Sequence, residues 1–320
     1  MRALRYDRYG PPDVLHVEDV AEPASAADEL KVRVRAASLN PLDWKIRAGH
    51  MRLIPLFDAP PRGTGTDFAG EVVGSGGGDV AGFYPGARVF GSLSPFRRQG
   101  SIAEFVVVAA SRIATAPDML AFDAAAALPI AAGTAVQALA DHAQLAGGQR
   151  LLLSGAAGGV GHYAIQYAKH VGAHVTAVCS TTNLAFVESL GADRALDYTR
   201  DDPLVGGEPY DVVFDAAGVW SWQTCRGVLA PSGVYVNTAP SARAIGTNVV
   251  GAAIARLTTR QRVVTLALQG GAPMWRRLAE LAADGALTPH ITRRLAIDDV
   301  ADAQRAMESG HGRGKLVAML

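Results

Sequence analysis

The 320-residue sequence predicts an α/β protein in which a β-rich domain accompanies a doubly wound parallel sheet. Three observations carry this. The first third reads as short strands broken by glycine and proline, and from about residue 120 apolar strands alternate with helical stretches. A glycine-rich turn then joins one of those strands to a helix.

The length is enough for two substantial cores, and the changes of pattern place a first domain over 1–117, a second over 118–268, and a return to the first over 269–320. In the first domain Glu29 to Arg35 alternates, with Leu30, Val32 and Val34 on one side and Lys31, Arg33 and Arg35 on the other, as a half-buried strand does. Glu71–Val73, Arg88–Phe90 and Ala103–Val108 are further strands, with turns such as Gly74–Gly78 between them. In the second domain the strands are Arg150–Ser154, His174–Cys179, Val212–Ala216 and Val234–Asn237. Asn183 to Gly191 reads as a helix that Asn can cap and Gly can end. The apolar run Arg262–Leu268 is an exposed sheet edge that would pair with a second copy in a homodimer, or an edge covered by its own chain. An amphipathic helix over Met274–Asp284 precedes a last strand in Lys315–Leu320 that returns to the first domain.

Composition removes several classes of function. Thirty Lys plus Arg balance thirty Asp plus Glu, so no net field draws the chain to nucleic acid or to an anionic membrane, and neither is an expected partner. The stretch Ala121–Ala140 is mostly alanine and contains Asp123 and Pro129, which suits buried helix and loop better than a membrane span. Charges in Met1–Asp7 argue against an export signal, and the expected compartment is cytoplasmic. Two cysteines, Cys179 and Cys225, make neither a disulfide framework nor a four-cysteine zinc site, and both read as core residues.

Directly after Leu151–Ser154 comes Gly155-Ala156-Ala157-Gly158-Gly159-Val160-Gly161, followed by a helical stretch from His162 to His170. Strand, side-chain-free turn and helix start, in that order, are what a dinucleotide pyrophosphate requires: close backbone approach, then unpaired N–H groups with partial positive charge. Ala156 stands where the usual fingerprint has its first glycine, and a simple tight turn is the alternative reading. At the end of the next strand Cys179-Ser180-Thr181-Thr182-Asn183 offers no acid to hold a ribose 2′-hydroxyl, which points to NADPH. Ser180, Thr181 and Thr182 could donate to a 2′-phosphate and Tyr198 could close over the adenosine, although no Arg or Lys stands at the strand end; a plain turn is the other reading of 180–182.

These residues resemble the medium-chain dehydrogenase/reductase superfamily, in its zinc-free NADPH quinone oxidoreductase and enone reductase branch. The resemblance rests on Ser38-Leu-Asn40-Pro41-Leu-Asp43-Trp-Lys45, Gly65-Thr66-Asp67-Phe-Ala-Gly70, Ala156–Gly161, Leu190-Gly-Ala-Asp193 and Gly312-Arg313-Gly314-Lys315, and spans essentially the whole chain. It implies a GroES-like β-rich substrate domain and a Rossmann domain. In zinc-bearing relatives a Cys near the position of Asn40 and a His near that of Thr66 hold the metal; neither ligand type is present here, so no metal is expected. The resemblance also puts Lys45 near the substrate carbonyl as a hydrogen-bond donor, Asn40 and Asp43 beside it, Thr134 by the nicotinamide and Arg313 near the cofactor. Each has a plainer alternative: Lys45 at the surface, Asn40 and Asp43 capping a turn before a helix at Trp44–Arg47, Thr134 buried in a helix, Arg313 a solvated tail residue. His162 reads better as a helix-start residue than as a cofactor contact.

Reduction of a saturated ketone leaves a basic alkoxide that calls for a metal or a strong proton donor, whereas conjugate reduction of a quinone or α,β-unsaturated carbonyl leaves a delocalised anion for which one donor suffices. The expected activity is therefore hydride transfer from NADPH to a quinone or enone. An enoyl-thioester reductase, for which Arg97-Arg98 is a slight cationic signal, and a non-catalytic NADPH sensor are the alternatives. The substrate itself depends on segments 49–62 and 241–260, whose conformation the sequence does not set.

Overall fold

Alternation of Leu30, Val32 and Val34 produces the central strand of the first sheet. The computed structural model describes residues 1–52, 54, 57–78, 80–238, 242–310 and 312–320, with backbone alone for 242–245, 247 and 248. Parts of the segments 49–62 and 241–260, whose conformation the sequence left open, namely residues 53, 55, 56 and 241, lie outside the described residues. The chain divides into two compact units, Met1–Gly133 with Gln269–Leu320, and Thr134–Leu268.

The first unit opens with β1 (Arg2–Tyr6), β2 (His16–Asp19) and the long β3 (Glu29–Ser38), whose apolar side chains are fully buried. Helix α1 (Pro41–Arg47) follows, then β4 (Arg62–Gly63), β5 (Asp67–Ser75), β6 (Arg88–Ser92), β7 (Phe105–Ala109) and β8 (Ile113–Thr115). Next come α2 (Phe122–Ala126) and α3 (Pro129–Val136), in the alanine-rich stretch. Small side chains let α2 lie close on β3, β5 and β6, which is why residues 118–133 group with the first unit and not with the second.

The second unit runs β9 (Arg150–Ser154), α4 (Gly161–His170), β10 (His174–Cys179), α5 (Leu184–Ser189), β11 (Arg194–Asp197), β12 (Tyr210–Asp215), α6 (Trp222–Cys225), β13 (Leu229–Asn237), α7 (Ala242–Thr258) and β14 (Arg262–Thr265). Its strands are all parallel in the order β11-β10-β9-β12-β13-β14, a doubly wound sheet whose order reverses between β9 and β12. β14 is at the edge, as expected, and α7 supplies a helix where the sequence left the conformation open. Gly191 (φ +100°) ends α5, but Asn183 makes no side-chain capping bond; its amide donates to Ser180 Oγ instead.

The chain then returns to the first unit through α8 (Ala272–Ala283), β15 (Ile291–Leu295), α9 (Val300–Glu308) and β16 (Lys315–Met319). β16 pairs antiparallel with β3 inside the sheet β15-β16-β3-β5-β6-β8, and a smaller sheet has the order β2-β1-β4. Among the described residues no helix is long and apolar enough to cross a membrane. Cys179 and Cys225 are buried and are not joined in a disulfide.

Candidate active site

The β3–β16 register sets Val317 against Ser38, which carries Lys315 across from Asn40. Gly314 makes the entry to β16 possible: its φ is +54°, and a Cβ there would come within 2.2 Å of His290 O. Lys315 is only 3% exposed, and its Nζ donates to Leu39 O at 2.9 Å and Asn40 Oδ1 at 2.6 Å. With its oxygen engaged, the Asn40 amide turns Nδ2 toward Asp67 Oδ2 at 2.8 Å. That oxygen also accepts from Ile130 N at the start of α3, at 3.1 Å. The other oxygen, Oδ1, is buried without a hydrogen-bond partner among the described residues, although the nearby Ser92 hydroxyl, here donating to Leu93 O, can rotate toward it.

Asp43 is the third residue of α1. It accepts from Asn40 N at 2.7 Å and from Thr66 Oγ1 at 3.1 Å, so it does cap the helix, while the Asn40 side chain does not cap and instead joins Asp67 to Lys315. Asp43 also lines a polar cleft with Tyr6, Arg62, Thr64, Thr66 and Gln99. Burial pushes its carboxyl up to about 7 and that of Asp67 up to about 6, and Lys315 pulls both down. Burial likewise lowers the pKa of Lys315, against the raising influence of the two acids.

Lys45 takes no part in these hydrogen bonds among the described residues. It is half-buried on α1, 5.7 Å from the centre of the Trp44 ring, and burial lowers its pKa, so it is neither in the network nor a fully solvated lysine. Zinc does not fit this constellation. An ammonium, an amide and a hydroxyl are not its ligands; only the Asp43 and Asp67 carboxylates remain, beside the buried Lys315 ammonium, and among the described residues no three His, Cys, Asp or Glu side chains come together to hold a metal.

In the second unit the glycine turn leaves the end of β9 at the point where the strand order reverses. Gly155 has φ +62°, and a Cβ on Gly161 would lie 2.2 Å from Gly155 O and 2.6 Å from the Ala156 Cα, so the turn closes only with hydrogen there. A Cβ on Gly158 would meet only Gly155 O, at 3.3 Å, so little of the chain itself claims that space. Ala156 is buried with N donating to Val178 O, Val160 is the N-cap of α4, and Gly159 lies between on the same turn. The buried His162 packs back on the loop, its Nδ1 3.0 Å from Gly158 O, in the helix-start role. A pyrophosphate fits this cradle on chain geometry and helix polarity.

Beyond β10, Ser180 Oγ and Thr182 Oγ1 lie 3.3 Å apart, and Tyr198, 52% exposed, donates its N–H to Cys179 O. The parallel register sets Asp197 beside Cys179, so an acid does stand near the strand end. Its carboxylate is turned inward onto Thr181 and Thr199, and the exposed Arg200 guanidinium sits 3.7 Å from it. Thr181 is thereby spent on Asp197, and Arg200 supplies the cation the sequence did not show at that place.

Two family models match: an alcohol dehydrogenase GroES-like domain over residues 26–118 and a zinc-binding dehydrogenase over 190–317. A chloroplastic quinone-oxidoreductase homolog of Spinacia oleracea is 36% identical over 99% of this chain and 98% of its own. A chloroplastic NADPH-dependent alkenal/one oxidoreductase of Arabidopsis thaliana is 38% identical over 68% of this chain and 58% of its own. The quinone oxidoreductase structure from Coxiella burnetii superposes with a TM-score of 0.88 at 32% identity, covering 100% of this chain and 99% of that one. The chain belongs to the medium-chain dehydrogenase/reductase superfamily.

Within that superfamily's frame the remaining predicted residues fall as follows. Thr134 is buried in α3. Arg313 is half-buried on the segment before β16, close enough to His290 to help burial lower that imidazole's pKa, so it is not a solvated tail residue. Sequence reasoning missed the parts played by Asp67 and Lys315, both quoted within motifs, and missed Asp215 altogether. Asp215, at the end of β12, is fully buried and accepts from Ser154, Gly218, Val219, Trp220, Tyr235 and Asn237, pinning the chain opposite the glycine turn. An acid directly after the apolar run Val212-Val213-Phe214 was its signal.

Proposed function

We propose that this oxidoreductase passes a hydride from NADPH to the conjugated carbon of a quinone or α,β-unsaturated carbonyl, without zinc. The observation that carries the reading is that Asn40, at the position the resemblance gives to a cysteine ligand, is an amide held between the Lys315 ammonium and Asp67. Bound NADPH would supply the hydride, held by Ala156, Gly158, Gly159, Val160 and Gly161, with Ser180, Thr182, Tyr198 and Arg200 toward the 2′-phosphate. Thr134 and Arg313 belong to the same proposal as residues of the nicotinamide end and the phosphates. Lys45 donates to the substrate oxygen that gains charge, and Asp43 exchanges the proton that balances the reduction. Asn40 holds Asp43 and does not itself face substrate. A homodimer through the β14 edge and a cytoplasmic setting complete the proposal.

The thioester reading gains little: Arg97 is paired with Glu29, and Arg98 lies 3.9 Å from Asp58. Steady-state NADPH oxidation against quinones, enones and enoyl thioesters, with and without a zinc chelator, tests the proposal. Turnover of the first two classes, insensitive to chelator and slower with NADH, is the expected result. Tight NADPH binding with no turnover on any acceptor would leave a sensing role instead. Lys45→Ala should lower kcat about tenfold or more with NADPH affinity unchanged, and an unchanged kcat removes Lys45 from the chemistry.

A further inference from the structure

We infer that Lys315 is a positioning residue for the site on the first unit, fixing the Asn40 amide and facing the acids Asp67 and Asp43 with a buried positive charge that sets the pH range in which the site works. The inference rests on the proposed reduction for its kinetic arm only.

Three observations support it. The ammonium donates to two neutral oxygens, Leu39 O and Asn40 Oδ1, so it acts on the acids through the amide and through space instead of by direct pairing. Reversing the Asn40 amide would set its NH2 against the Lys315 ammonium and its oxygen against the Asp67 carboxylate, so the lysine and the acid together permit one orientation. The same amide residue's backbone N–H holds Asp43, which places Lys315 two hydrogen bonds away from the acid that lines the cleft. An isolated buried ammonium is costly, and so are two isolated buried carboxylates; together they offset one another's charge at the buried end of that cleft.

The groups facing the two acids come from several elements. α1 contributes Asp43, β5 Asp67, β16 Lys315 and α3 the Ile130 N–H, while β6 brings the neutral Ser92 hydroxyl and β1 the Tyr6 phenol. Tyr6, itself near Arg62 and Arg47, is raised by burial to about 12 and stays protonated over the working range. Against burial, Lys315 is the positive charge that pulls both acids down, after the Asn40 N–H for Asp43 and ahead of the Asn40 and Ile130 donors for Asp67.

The test compares full-length wild type, Lys315→Met, and the double variant Lys315→Met/Asp67→Asn from pH 5 to 9. One arm follows NADPH-driven quinone reduction and the other the melting temperature. Lys315→Met should raise the midpoint of the kcat–pH profile by about one unit and leave the KM for NADPH within about twofold. Its deficit in melting temperature should widen as pH rises from 6 to 9, because more strongly held protons must then be lost from the folded acids. The double variant should return most of both effects. A folded Lys315→Met with the wild-type midpoint and a deficit that does not change with pH overturns the inference. If the single variant does not fold, recovery of folding in the double variant supports it, and a double variant no better folded overturns it. Should wild type reduce no acceptor, the proposed function falls while the melting arm still decides the role of Lys315.

Discussion

Asp215 in the second unit and the Asp43–Asp67 pair in the first are all buried acids, yet their surroundings are opposite. Asp215 receives three donors on each oxygen, from backbone amides, two hydroxyls and an amide side chain. Asp43 receives two hydrogen bonds, and one oxygen of Asp67 has none among the described residues. An acid supplied with a full set of donors is a fastener, since it ties fixed dipoles together and losing it would orphan most of them. Acids left short of donors keep their protons into the neutral range, which makes them fit for proton exchange and poor as fasteners.

Substitution should separate the two kinds. Asp215→Ala takes the acceptor from Ser154 Oγ and from the Gly218, Val219 and Trp220 amides, while Tyr235 and Asn237 keep other partners, and should cost at least about 3 kcal/mol of stability in denaturant unfolding. A loss under about 1 kcal/mol would break the comparison. Asp43→Asn should do the reverse, lowering kcat about a hundredfold with little loss of stability. The sign of its pH effect follows from the raised carboxyl. The folded protein holds the Asp43 proton more tightly than the unfolded chain, so wild type loses stability as pH rises from about 4 through about 7. Asp43→Asn should flatten that fall and gain on wild type at pH 8, as read by melting temperature; a parallel curve would show that Asp43 is ionised in the fold at all those pH values. The third effect is smaller and confined to the second unit. Gly161→Ala forces a Cβ against Gly155 O and should weaken NADPH binding by about 1–3 kcal/mol in a fluorescence titration.

Much of the second unit was legible because its determinants are local. Strands β9 and β10 follow their apolar runs residue for residue, and the glycine turn announces itself by the hydrogens it needs. The first-unit site was legible only in its residues, not in their partners. Asn40 and Asp43 sit three apart and their capping relation could be read, but nothing near Asn40 says that its side chain turns away from the helix to Asp67. Lys315 lies 275 residues from Asn40 in sequence, joined to it only by the register of β16 on β3. Arg200 was missed for a similar reason: it follows β11, and only the parallel pairing with β10 brings it to the end of that strand.

The place of Lys315 on the last strand also bears on how the protein is made. A chain emerging from the ribosome completes Asn40, Asp43 and Asp67 early, and carries them without their counter-charge until Lys315, 275 residues after Asn40, has been added. Any product cut short before β16 lacks both that charge and a strand of the main sheet. The first-unit constellation therefore comes together only once β16 has joined β3, however early its acids were made.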